Sequence, residues 1–156
     1  MIESIQSIKG TGIEAVVSGI LAAMLAQIMK FVGYFLKTHK FDYRVLLTTG
    51  GMPSSHSAGV IGLSTIIGFI CGFESVEVAI AMGFSLVVMY DAAGLRRSAG
   101  KMAKTINKMT EDIYEHRPLE AGEKLKELLG HTPIEVAMGA IWGACFAYIV
   151  HYWLLV

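Results

Sequence analysis

Four long apolar stretches, at residues 13–36, 57–73, 76–90 and 134–156, restrict what this chain can fold into more than any other feature. A bilayer-spanning helix needs about 20 mostly apolar residues, so the first and last stretches are long enough. The third has 15 residues. At about 1.5 Å per residue it covers about 22 Å of a hydrocarbon core about 30 Å thick. The middle pair therefore crosses with the help of polar flanks or a thinned bilayer, or it enters and returns as a helical hairpin joined at Glu74-Ser75. We expect four spans. Composition agrees: 54% of the 156 residues are hydrophobic and 17% are charged, with a mean hydropathy of +0.55. A soluble domain carries about 25% charged residues. The deficit excludes a soluble enzyme and a disordered chain, and the balance of 13 basic and 13 acidic residues excludes nucleic acid as a partner. The expected fold is all-α, a single membrane domain over 1–156 built as an integral membrane bundle of about four transmembrane helices.

Basic residues fix the expected orientation. Lys37, Lys40 and Arg44 follow the first stretch, and Arg96, Arg97, Lys101, Lys104, Lys108, Arg117, Lys124 and Lys126 fall in the connection 91–133. Eleven of the 13 basic residues thus lie in two connections that four spans place on one face, which the positive-inside rule makes cytoplasmic. Both termini then lie outside. Glu3 precedes Lys9 and no small-residue cleavage site follows, so the start does not read as a cleavable signal peptide. Cys71 and Cys145 sit in apolar runs and make no disulfide scaffold.

The connection 91–133 reads as an amphipathic helical segment. Ala99, Met102, Ala103, Ile106, Met109 and Ile113 recur at helical spacing, with lysines and acids mostly opposite. Such a helix lies at the interface or packs over a site. Arg117-Pro118 should end it, with a short second helix over 120–129 capped at Gly130. The pairs Gly68/Gly72 and Gly139/Gly143 have the four-residue spacing that lets helices approach closely.

Three segments carry chemistry. Gly50-Gly51-Met52-Pro53-Ser54-Ser55-His56-Ser57 opens the second apolar stretch. Glycines permit unusual backbone angles, Pro53 fits a first helical turn and the serines suit a cap. A helix N-terminus offers free amides and a positive dipole end to a phosphate, and His56 would stand beside it as a proton donor. The plainer reading is a well-capped membrane helix with an interfacial histidine. In Gly130-His131-Thr132-Pro133-Ile134-Glu135 the carboxylate falls in the first turn near His131, where it would fix the tautomer and free the other nitrogen for attack; alternatively it only complements the dipole. In Tyr90-Asp91-Ala92-Ala93-Gly94-Leu95-Arg96-Arg97 the arginines offer planar forks to phosphate oxygens, or are ordinary flanking charge with Asp91 as a surface partner. Lys30 lies inside the first span with Gln27 one turn earlier on the same face; an intramembrane charge is a functional hypothesis by default.

Pro53-Ser54-Ser55-His56 resembles the Pro-Ser-Gly-His motif of the type-2 phosphatidic acid phosphatase superfamily, which includes the vanadium-dependent haloperoxidases. His131 through Glu135 to Gly139 resembles that superfamily's closing motif. With Tyr-Asp-Ala before Arg96-Arg97, the arrangement is similar to the superfamily's divergent branch of small bacterial-type membrane proteins. The resemblance implies His131 as the nucleophile that forms a phosphohistidine, Glu135 as its orienting acid and His56 as the general acid. It implies Ser54, Ser55 and Lys30 as phosphate ligands, supported by Gln27, Gly51, Pro53 and Asp91. It also implies metal-independent hydrolysis of phosphate esters with no cofactor, in a pocket that phosphate or vanadate occupies, in the bacterial plasma membrane. The chain departs from the family where Ser55 replaces glycine, Glu135 replaces aspartate, and no arginine follows Lys30 as Arg-Pro or precedes His131 as Ser-Arg. Arg96 and Arg97 would then supply the guanidinium groups, and a homodimer would help enclose the pocket.

The function expected is a membrane lipid-phosphate phosphatase or pyrophosphatase at the cytoplasmic face, acting on a phospholipid or polyprenyl phosphate. The alternative is a lipid-phosphate or anion binding or transport protein that keeps the pocket without the chemistry. A structural membrane subunit is the third reading.

Overall fold

The computed structural model describes residues 7–47, 50–113 and 130–154. Among these residues the fold is all helical. Helix α1 spans Gly12–Thr38, α2 Ser55–Cys71, α3 Val76–Ala93, α4 Leu95–Ile113 and α5 Pro133–Ile149, followed by a π-turn at Val150–Leu154. A 3-10 turn, Tyr43–Leu47, lies between α1 and α2. Three helical runs are long and apolar enough to cross a membrane: Gly12–Thr38, Val76–Thr110 and Pro133–Trp153. Helix α2 is a shorter apolar helix of 17 residues. The second half of the connection, with the Arg117-Pro118 break and the helix expected over 120–129, lies outside the described residues.

Small residues hold the bundle together and large ones face outward. On α1 the buried stripe is Glu14, Ala15, Ser18, Gly19, Ala22, Ala26 and Lys30, while Ile13, Val16, Ile20, Met24 and Ile28 are exposed. Such an inverted surface suits lipid, because packing between helices in a bilayer gains nothing from burying leucine-sized side chains and much from close backbone approach. The chain is an integral membrane helical bundle.

Helix α2 is the hub, in contact with α1, α3 and α5. It runs antiparallel to α1: an ideal Cβ on Gly19 would meet the Gly59 carbonyl oxygen at 2.9 Å, and Gly51, before α2, lies against Lys30, toward the end of α1. It runs parallel to α5, whose Gly139 and Gly143 press on the carbonyls of Ser54 and Ala58. A side chain at either glycine would overlap those oxygens, so the expected close approach of this pair is realised. The other pair behaves differently. Gly72 ends α2 with φ +87, and Gly68 makes room for the Phe73 ring of its own hairpin. That pair shapes a turn, because the chain reverses within four residues of Cys71. The α2–α3 hairpin is fastened by Ser64 and Ser85, whose hydroxyls lie 2.9 Å apart, and by Ser85 donating to the Val60 carbonyl. The indole of Trp142 on α5 donates to the Ala22 carbonyl of α1 at 3.2 Å.

Helix α4 is amphipathic as expected, yet Met102, Ile106 and Met109 on its apolar face are exposed. Its apolar stripe therefore does not pack over the bundle. At the far end, Glu14, wholly buried, meets His151 of the π-turn at 2.6 Å and accepts the Gly10 amide, with Phe69 stacked on the imidazole. The sequence reading singled out neither residue.

Candidate functional site

The opening of α5 is set by local rules. Thr132 is the N-cap: its hydroxyl accepts the Glu135 amide at 3.3 Å, and the Glu135 carboxylate accepts the Thr132 amide at 3.0 Å. This reciprocal cap anchors the carboxylate. The same oxygen, Oε2, lies 3.1 Å from Nδ1 of His131. With a carboxylate there, Nδ1 carries the proton and Nε2 presents its lone pair. Thr132 was not singled out from sequence, although the Thr-x-x-Glu spacing is a legible signal.

His131 is 1% exposed and its backbone amide donates to the Ala92 carbonyl at the end of α3. Its Nε2 is buried with no hydrogen-bond partner among the described residues. Burial holds the imidazole below its ordinary value, and the Lys30 ammonium acts in the same direction; Glu135 and the Gly51 backbone oppose them without reversing the shift. A neutral imidazole with a free nitrogen is the form that attacks an electrophile.

The start of α2 brings in the second histidine. Ser54 is the N-cap, its hydroxyl accepting the Ser57 amide, and its own amide donates to the Glu135 carbonyl at 3.0 Å. The helix therefore begins at Ser55. Pro53, expected in the first turn, precedes the cap, and the Met52–Pro53 peptide is cis. The reason is that the oxygen able to reach Ser57 belongs to Ser54. Ser54 is fully buried with its hydroxyl engaged in the cap, which also receives the Ser57 hydroxyl at 3.1 Å. Ser55 and His56 form the first helical turn, where amides have no partner within the helix. The His56 ring centre is 6.1 Å from that of His131.

Lys30 approaches from α1. It is 7% exposed, and its Nζ donates to the Gln27 amide oxygen at 3.0 Å, while Gln27 donates to the Leu46 carbonyl at 2.6 Å. Its methylenes lie along Gly51, which has φ +90; any Cβ at Gly51 would meet them at 3.2 Å. Asp91, half-buried, immediately precedes Ala92 in α3. Arg96 and Arg97 occupy the first turn of α4, just past Gly94, and their side chains lie outside the described residues. Among the described residues no three His, Cys, Asp or Glu side chains converge in a way that would hold a metal ion.

Residues from α1, α2, α3 and the start of α5 thus meet at one end of the bundle around the His131 imidazole, a second imidazole and a lysine. A family model described as Divergent PAP2 family matches residues 12–146. The chain is also similar to the "Uncharacterized membrane protein YuiD" of Bacillus subtilis (strain 168), 37% identical over 148 residues that cover 88% of this chain and 94% of that protein. No solved structure matches it. The motif order, the helical membrane bundle and a family match across most of the chain lead to one conclusion: this protein belongs to the Divergent PAP2 family.

Proposed function

We propose that the protein is a lipid-phosphate phosphatase or pyrophosphatase of the cytoplasmic leaflet. The observation that carries this reading is the pairing of two imidazoles from distant stretches of chain. One is oriented by Glu135 and has a buried Nε2 with no hydrogen-bond partner among the described residues; the other has its ring centre 6.1 Å away.

In this reading Nε2 of His131 attacks phosphorus, and the bond from phosphorus to the leaving oxygen breaks. His56 donates its proton to that oxygen, releasing the alcohol or the lesser phosphate. Water then attacks the phosphohistidine, His56 takes the water's proton, and inorganic phosphate leaves with His131 restored. Lys30 and the amides of Ser55 and His56 stabilise the charge that builds on the phosphoryl oxygens. Glu135 holds the tautomer throughout. The positive-inside pattern of the two basic connections supports a cytoplasmic site in the plasma membrane.

Detergent-solubilised protein should release phosphate from phosphatidate, phosphatidylglycerol phosphate or a polyprenyl phosphate. His56→Ala should lower kcat by about 10²- to 10⁴-fold, and His131→Ala should abolish turnover. Full rates in both variants would refute the catalytic assignment. The absence of arginine at two motif positions favours a second reading, a lipid-phosphate binding or transport protein. It predicts vanadate binding that survives His131→Ala, with no phosphate released from any of these lipids.

A further inference from the structure

An apolar groove opens beside the site and runs away from it along the seam of α1 and α2. Its volume is about 390 Å³, within the roughly 300–1,000 Å³ span of ligand sites. His56 and Ser55 form one end. From there the lining continues through Gly59 to Leu63 on α2 and through Ala23 and Ile20 to Val16 on α1, with Phe84 of α3 on the opposite wall. Positions 55, 59 and 63 share one face of α2, as 16, 20 and 23 share one face of α1. This face of α1 is not the buried stripe that carries Glu14, Ser18 and Lys30. Along the floor, Gly19 and Gly59 bring the two backbones together, so no side chain fills the channel from below.

Direction identifies the occupant. From Ser55 to Leu63 the groove extends about 12 Å along α2, close to the roughly 15 Å depth of one leaflet's hydrocarbon. A lipid whose phosphate lies at one end of the bundle must send its chains toward the bilayer midplane, the direction in which this groove departs from His56. Its walls offer that chain almost no polar partner, and Val16, Ile20 and Phe84 are open to the surroundings.

The geometry points to this groove as the seat of a hydrocarbon chain, acyl or prenyl, of a lipid phosphate whose headgroup lies between His56 and His131. The inference rests on the reading above that a lipid phosphate lodges there. The chain enters sideways from the bilayer, and its contact with α1 and α2 carries the preference for membrane substrates over soluble phosphate esters.

Two measurements test this. The first compares kcat/KM for dipalmitoyl phosphatidate and a long polyprenyl phosphate with that for dihexanoyl phosphatidate. Ile20→Trp, which crowds the groove, should lower the long-to-short ratio by about tenfold, or about 1.4 kcal/mol. Met82→Trp, on an exposed part of α3 outside the groove, should leave it unchanged. An Ile20→Trp ratio equal to wild type overturns the proposal; a loss for only one chain type identifies the source of the chain. The second measurement uses His131→Ala protein in vesicles with a phosphatidate that carries a photoreactive diazirine in mid-chain. Adducts concentrated in 16–23 and 59–63 support the groove, and adducts spread equally over 82–90 overturn it. Localised adducts together with no hydrolysis of any ester would remove the phosphatase reading and leave the groove standing.

Discussion

His131 has the most distinctive environment of the site residues, and its protonation should be visible in stability. Burial lowers its folded pKa from the ordinary value of about 6.5. Above that value both folded and unfolded imidazoles are neutral, and the group is silent. As pH falls below about 6.5 the unfolded imidazole takes a proton that the folded one resists, so stability is lost until the pH passes the lowered folded value. Melting of the detergent-solubilised protein from about pH 8 to about pH 5 should show this loss, and His131→Gln should reduce it. Glu135→Gln should keep the fold and lower kcat, because an amide no longer enforces the proton on Nδ1; rates equal to wild type would count against an orienting role. At this scale the sequence was readable where the rule is local. His131, Thr132 and Glu135 lie within five residues, so their mutual geometry follows from a single helix start. Pro53 lies outside the first turn because a serine after it caps the helix, and the contact of Ser54 with Glu135 and Gly139 makes Ser54 that cap.

Among the elements, helix contacts depend on what is missing from the side chain. Gly143→Val would drive a branched side chain into the Ala58 carbonyl, with no flexible neighbour to yield. Overpacking of this kind costs about 1–3 kcal/mol, and the variant should melt lower and lose the α2–α5 contact on which the site stands. Glu14→Ala should also destabilise, since it leaves His151 partly buried without its carboxylate partner. Removing one partner of a buried pair costs about 3–5 kcal/mol. A double variant, Glu14→Ala with His151→Phe, should recover part of that loss in the same melting assay. Apolar runs revealed the helices within a few residues, because lipid exposure writes itself into continuous hydrophobicity. The Glu14–His151 pair was not legible: its members are 137 residues apart, and no periodicity in either helix names the other. The glycine pairs illustrate the same limit. Spacing alone gave Gly68/Gly72 and Gly139/Gly143 one meaning, while the turn after Cys71 gives the first pair another.

Across the whole molecule, the arrangement of α1, α2, α3 and α5 brings the chemistry-bearing segments to a single end. The proposed cytoplasmic placement of that end follows the positive-inside expectation, and cysteine accessibility tests it directly. In a background free of Cys71 and Cys145, Lys40→Cys should be shielded from a membrane-impermeant maleimide applied outside intact cells, while Glu74→Cys should react. The reverse pattern would move the site to the outer leaflet without altering its geometry. One further property follows from α2 and α5 running in the same direction. Two peptide-dipole arrays, built from backbone alone, aim their electropositive tips at one spot. An oxyanion lodged there, as the proposed function requires, would gain a component of affinity that no titration removes and no single side-chain replacement erases. Lys30→Met should accordingly weaken vanadate binding measured by calorimetry yet leave it detectable.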